Sequence, residues 1–106
     1  MALPRLTHLQ FLVVSQLLRG AERGRDLRAQ LRAAGVRQSG PAFYQMMANL
    51  EDDGLVEGWY ERQIVDGQII RERHYRVLAG GRRAWQQCRD FYAAALRSMP
   101  GLAHGT

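Results

Sequence analysis

Every basic side chain of this 106-residue chain other than its histidines is an arginine. Four of the arginines, Arg62, Arg71, Arg73 and Arg76, fall in one stretch, GWYERQIVDGQIIRERHYRV, residues 58 to 77. The stretch alternates apolar and charged residues on both sides of Asp66-Gly67, a strong short-range signal for a β-hairpin. Guanidinium groups held out along an extended ribbon suit one chemistry above others. They neutralise the phosphates of a polyanion and release its counterions, independently of sequence.

Other chemistries find no foothold. His8, His74 and His104 are scattered, and no HExxH, CxxC, GxSxG or phosphate-cradling glycine loop occurs. Cys88 is the only cysteine, which excludes an intrachain disulfide and a cysteine-rich zinc site and fits a reducing compartment. It reads as a small buried apolar residue, with a redox-sensing thiol beside Arg89 as the competing reading. The expectation is no catalytic residue, no metal site and no cofactor.

Length and composition agree. With 46% hydrophobic residues, the chain suits one domain with a single core and leaves little room for a cleft between two lobes. Fifteen basic against ten acidic residues give +5, which favours an anionic partner such as nucleic acid. The N-terminal apolar run lacks a basic leader and a small-residue cleavage site, and nothing approaches the roughly 20 apolar residues of a membrane span. A soluble cytoplasmic protein without a membrane partner is expected.

The elements that must position the arginines can be read from punctuation and periodicity. Thr7 caps a helix running to Arg19, apolar over most of its circumference, with Gly20 past its end. RDLRAQLRAAG forms a second helix, with Leu27, Leu31 and Ala34 inward and Gly35 as terminator. Ser39 caps a third helix in which Phe43, Met46, Met47 and Leu50 make one buried stripe before Gly54. Its opposite face carries Tyr44, Gln45, Ala48 and Asn49. The hairpin follows, then a last helix from about Ala79 to Ser98 and a flexible tail.

Helix, helix, helix, strand, turn, strand, helix is the order of a winged helix-turn-helix, a mainly α fold with a small two-stranded wing. Residues 1–78 would form the winged-helix domain, 79–98 a dimerisation helix continuous with it, and 99–106 the tail. In this arrangement the third helix enters the major groove of DNA. It has no Arg or Lys, so base reading falls to Ser39, Gln45 and Asn49, with Tyr44 on a phosphate. Arg37 beside that helix, and Arg62, Arg71 and Arg73 on the wing, would anchor the backbone. Tyr60 is equally suited to covering the core or to lying near DNA.

The hairpin register is a matter of charge. A two-residue Asp66-Gly67 turn places Glu61 opposite Glu72 and Arg62 opposite Arg71, two unfavourable like-charge pairs. A three-residue loop, Val65-Asp66-Gly67, places Glu61 opposite Arg71, and is the expected form.

Two segments resemble a known family. SGPAFYQMMANLEDDGLVE is similar to the third helix and strand start of the PadR family of bacterial transcriptional regulators. Its pattern of an apolar residue, Tyr, leucine-like residues and Leu-acid-acid-acid-Gly-Leu-Val is filled by Phe43, Tyr44, Met46, Met47, Leu50, Glu51, Asp52, Asp53, Gly54, Leu55 and Val56. RERHYRVLAGGRRAW resembles the family's wing exit, with Tyr75, Val77 and Gly81 in matching places, although Leu78 stands where a helix-capping Thr is usual. The resemblance spans about residues 5 to 98. It implies a homodimeric DNA-binding repressor whose last helix packs on the partner and, in some members, an aromatic effector bound near the dimer interface.

The apolar stripes point the same way. Trp85, Cys88, Tyr92, Ala95 and Met99 follow helical spacing, with Leu96 and Phe91 widening the stripe. A domain this small cannot cover it together with the first helix. A two-fold dimer through Leu9, Leu12, Val13, Trp85, Cys88, Tyr92, Ala95 and Leu96 would cover both and set two third helices against a palindrome. Trp85 and Phe91 are the candidates for an effector pocket, with plain packing as the competing reading. The rival to a DNA-binding regulator is a winged-helix protein-interaction module that no longer binds DNA.

Overall fold

A computed structural model describes residues 3–99. His104 and nearly all of the expected tail lie outside the described residues. The elements are α1 (His8–Leu17), β1 (Glu22–Arg23), α2 (Gly24–Ala33), α3 (Gly40–Asp52), β2 (Val56–Val65), β3 (Gln68–Val77) and α4 (Ala79–Arg97). The architecture is the expected winged helix with one addition. A short third strand, β1, makes the sheet order β1-β3-β2.

Local chemistry sets the helix starts. Thr7 and Gln10 form a reciprocal capping box at α1: the Gln10 amide donates to Thr7 Oγ1 at 3.2 Å, and the Thr7 amide donates to Gln10 Oε1 at 2.9 Å. At α3 the Ala42 amide donates to Ser39 Oγ at 3.2 Å, and Pro41 sits in the first turn, where its missing N–H costs nothing. α4 begins at Leu78, which offers no side-chain cap. Gly81 lets α4 lie against the backbone carbonyl of Leu55, since a Cβ there would collide with that oxygen.

The core lies among α1, α2, α3, the base of the hairpin and α4, with Val13, Leu17, Leu27, Phe43, Met47, Leu50, Tyr75 and Cys88 among its buried members. The α3 stripe is buried as its spacing requires. α1 and α4 pack on each other: Trp85 stacks on Phe11 with centroids 5.8 Å apart, and its indole N–H donates to Ser15 Oγ at 2.7 Å. Burial pushes the Cys88 thiol up, which suits the small-apolar reading and opposes a reactive thiolate.

The hairpin register differs from expectation. The turn has two residues, Asp66 (φ 52°) and Gly67 (φ 78°), both left-handed as a type I′ turn requires. Glu61 therefore faces Glu72, and Arg62 faces Arg71. Three of these four charges find partners elsewhere. Glu72 meets Arg23 at 3.3 Å and Arg25 at 2.9 Å. Glu61 accepts from the Trp59 indole at 3.0 Å and lies 3.3 Å from His74 Nε2. Arg71 rests on the ring of Tyr60, 4.7 Å from its centroid. The unforeseen β1 and the start of α2 supply the two cations that make the register tolerable.

Each wing strand is ten residues long, so the ribbon extends roughly 33 Å. Only its base reaches the core.

Candidate nucleic-acid interface

With Phe43, Met46, Met47 and Leu50 turned inward, α3 presents Tyr44, Gln45, Ala48 and Asn49 on its opposite side. Gln45 Nε2 donates to Asn49 Oδ1 at 3.1 Å, one helical turn on, which leaves the Gln45 carbonyl and the Asn49 amide protons available. Ser39 is exposed and already serves as the cap, so its remaining capacity is its hydroxyl proton. Arg37 is exposed just before the helix.

Directly opposed residues in a β-ribbon share a face. One wing face therefore carries Tyr60 with Arg73, Arg62 with Arg71 and, nearest the turn, Ile64 with Ile69. The guanidinium groups of Arg71 and Arg73 each lie 4.7 Å from the Tyr60 centroid. Among the described residues no carboxylate pairs with Arg37, Arg62 or Arg71. Arg73 differs: its Nη2 lies 2.6 Å from Glu51 Oε1, and the pair is partly buried. Burial opposes the charge on Arg73, but Glu51 first and Tyr75 after it together outweigh burial, and the guanidinium pKa is raised. Arg73 is thus committed to α3 and is not a free cation of the wing. Glu51 is correspondingly spent, leaving Asp52 and Asp53 as the exposed acids at the helix end.

Between α3 and the wing lies an open cavity of about 670 Å³, lined by Tyr44, Ala48 and Glu51 of α3, Arg25 of α2, and Tyr60, Ile70, Arg71, Glu72, Arg73 and Tyr75 of the wing. Of these, Tyr44, Arg71 and Arg73 were expected at the site. Ala48 was expected on the same helix face as Tyr44, whereas Arg25, Glu51, Ile70 and Glu72 were missed, although Glu51 is spaced to share that face.

The expected interface residues divide. Leu9, Leu12, Trp85 and Ala95 are partly buried, and Tyr92 and Leu96 are exposed. Val13 and Cys88 are 0% exposed. Packing of α1 on α4 within the chain encloses both, so neither offers surface to a second copy. The expected pocket pair also separates. Phe91 lines a cavity of about 520 Å³ with Leu3, Pro4, Gln87, Asp90, Ala94 and Arg97, whereas Trp85 lies against Phe11 and Ser15. Six residues apart on one helix, the two rings point to different sides. Among the described residues no group of three or more His, Cys, Asp or Glu is placed to hold a metal. None of their helices is long and apolar enough to cross a membrane.

Three helices, a β-ribbon exposing arginine and a trailing helix on α1 define a winged helix-turn-helix fold. No protein-family model matches the chain, and no curated protein is detectably similar in sequence. Solved structures do match. A PadR family transcription regulator from Clostridium difficile superposes with a TM-score of 0.75 at 17% identity, over 88% of this chain and 95% of that one. A PadR family transcriptional regulator from Eggerthella lenta gives 0.69 at 23% identity, over 92% and 83%. Bacillus subtilis PadR, solved in complex with operator DNA, gives 0.60 at 16% identity, over 80% of this chain and 46% of that one. At these identities the likeness is one of fold.

Proposed function

We propose that this protein is a DNA-binding transcriptional regulator, acting as a homodimeric repressor on a palindromic site. The observation that carries the reading is the pairing of an uncharged polar helix face with free arginines on the neighbouring ribbon. Gln45 and Asn49 hold amide groups suited to adenine edges, Ser39 a hydroxyl suited to several bases, and Tyr44 a phenol suited to a phosphate oxygen. Arg37, Arg62 and Arg71 supply the charge. A relative in fold from Bacillus subtilis was solved in complex with operator DNA, which supports DNA as the partner.

The dimer reading rests on exposed apolar surface. Tyr92 and Leu96 near the end of α4, and Met99 just past it, are all exposed, and a second copy would cover them together with Leu9 and Leu12. A two-fold axis there would present two α3 helices to half-sites about one helical turn of DNA apart, roughly 34–36 Å. An aromatic effector near that interface would meet Phe91.

Fluorescence-anisotropy titration against the protein's own upstream promoter and a scrambled duplex, at two salt concentrations, tests the reading. Tighter, salt-sensitive binding to the promoter that weakens in Arg62→Ala plus Arg71→Ala is expected. Equal and negligible binding to both duplexes at low salt would remove DNA as the partner. One observation favours the rival protein-interaction module: Ile64 is 78% and Ile69 67% exposed at the wing tip, an apolar end on an arm otherwise rich in charge. Binding of a protein partner there would be insensitive to salt.

A further inference from the structure

The cavity between α3 and the wing has more apolar surface than a phosphate backbone needs. Tyr44, Tyr60 and Ile70 are 39%, 58% and 37% exposed, and all three line it, beside Ala48. Large apolar groups grouped around one recess with a few convergent polar groups are the usual composition of a small-molecule site, and about 670 Å³ is within the usual range of size.

The charges around the recess narrow the ligand further. Its two carboxylates are already neutralised, Glu51 by Arg73 at 2.6 Å and Glu72 by Arg25 at 2.9 Å and Arg23 at 3.3 Å. Arg71 is the one lining cation without a carboxylate among the described residues, and Tyr60 holds it 4.7 Å above its ring. A single negative charge is matched there. A second one would find no further unpaired cation in the lining. The guanidinium planes of Arg71 and Arg73 over Tyr60, with the Tyr44 ring on the opposite element, favour a flat ring over a branched aliphatic body.

We infer that this cavity is a binding site for a small planar monoanion, with its acid group on Arg71 and its ring against Tyr44 and Tyr60. The site stands on the geometry of the protein alone. Its regulatory consequence rests on the DNA-binding reading: the ligand occupies the gap between the helix and the ribbon that must both reach DNA, so it competes directly with the duplex. This location is distinct from the α4 face, where an effector near a dimer interface would lie.

The test uses naphthalene monosulfonate as probe, titrated calorimetrically into the full chain without DNA. Arg71→Met and Tyr60→Leu should each weaken binding by about tenfold, as expected for loss of a charge-assisted contact or a stacking surface. Arg97→Met, in the cavity beside Phe91, should leave it unchanged. Naphthalene disulfonate should bind more weakly than the monosulfonate. The proposal is overturned if no heat is seen at millimolar probe, if Arg97→Met and not Arg71→Met abolishes binding, or if the disulfonate binds more tightly. In a second arm the probe should displace a bound duplex from the unmodified protein, and about tenfold more probe should be needed with Tyr60→Leu. Probe binding at the cavity in a protein that binds no duplex supports the site and sinks the DNA reading, so the two fail separately.

Discussion

Glu51 of α3 and Arg73 of the wing meet at 2.6 Å directly over Gly58 of β2. A Cβ at position 58 would fall 2.5 Å from Glu51 Oε1 and 2.9 Å from Arg73 Nη2. The glycine is the opening through which the helix and the ribbon are tied together, and the tie sets the angle between them.

Gly58→Ala should therefore push the ion pair apart and destabilise the protein by about 1 kcal/mol, since both obstructing atoms end flexible side chains that can swing aside. In a Glu51→Ala background the same change should cost much less, because the obstructing carboxylate is gone. A double-mutant cycle by urea denaturation measures the coupling. Equal costs in both backgrounds would mean that the pair does not depend on the glycine.

Free and committed arginines should leave different marks on DNA binding. Loss of Arg62 and Arg71 together should reduce the slope of log affinity against log salt by about two. Glu51→Gln releases Arg73 from its carboxylate and should raise the slope by about one. Anisotropy titrations across a salt series read both. An unchanged slope in Glu51→Gln would show that Arg73 cannot reach a phosphate even when freed.

Tyr75 makes the protein sensitive to alkali. Burial, only partly opposed by Arg73, raises its phenol from 10.0 to about 12. The neutral phenol is thus favoured by folding, a contribution fully present below pH 10 and lost as pH rises through about 12. Spectrophotometric titration should show a late phenol that Tyr75→Phe removes, and the same substitution should flatten the fall of stability across that window. If Tyr75→Phe removes no late phenol, the ring is not enclosed as described.

The uncapped start of α4 is a correctable weakness. Leu78 has the extended backbone of a cap residue, φ −95° and ψ 170°, but no side-chain acceptor. Leu78→Thr should stabilise the protein by about 1 kcal/mol, seen as a rise of several degrees in Tm. A fall in Tm would show that the leucine's packing outweighs the missing cap.

Much of the fold was legible because its signals are local. Ser39 and Thr7 mark helix starts whatever lies nearby, and the Phe43, Met46, Met47, Leu50 stripe buries itself by spacing alone. β1 was not legible, since two residues, Glu22 and Arg23, carry no period. Without it the like-charge pairs of the hairpin looked prohibitive, and the three-residue loop followed. That register would have set Tyr60 against Glu72 instead of Arg73, hiding the face on which Tyr60, Arg71 and Arg73 gather. The cavity was lost with it. Val13 and Cys88 were assigned to a dimer interface for a similar reason: a stripe shows that a helix face must be covered, not whether the cover comes from its own chain.

The two-residue strand β1 also divides the ribbon. It pairs with β3 only at Tyr75 and His74, so residues 61–72 form a bare two-stranded arm beyond a three-stranded root. An isolated pair of strands is marginal in water. The outer amides should exchange with solvent through local opening, while those at the root wait for the whole domain to unfold. The arm is then free to settle on whatever it meets after first contact, and the entropy of ordering it is borne by that complex rather than by the fold.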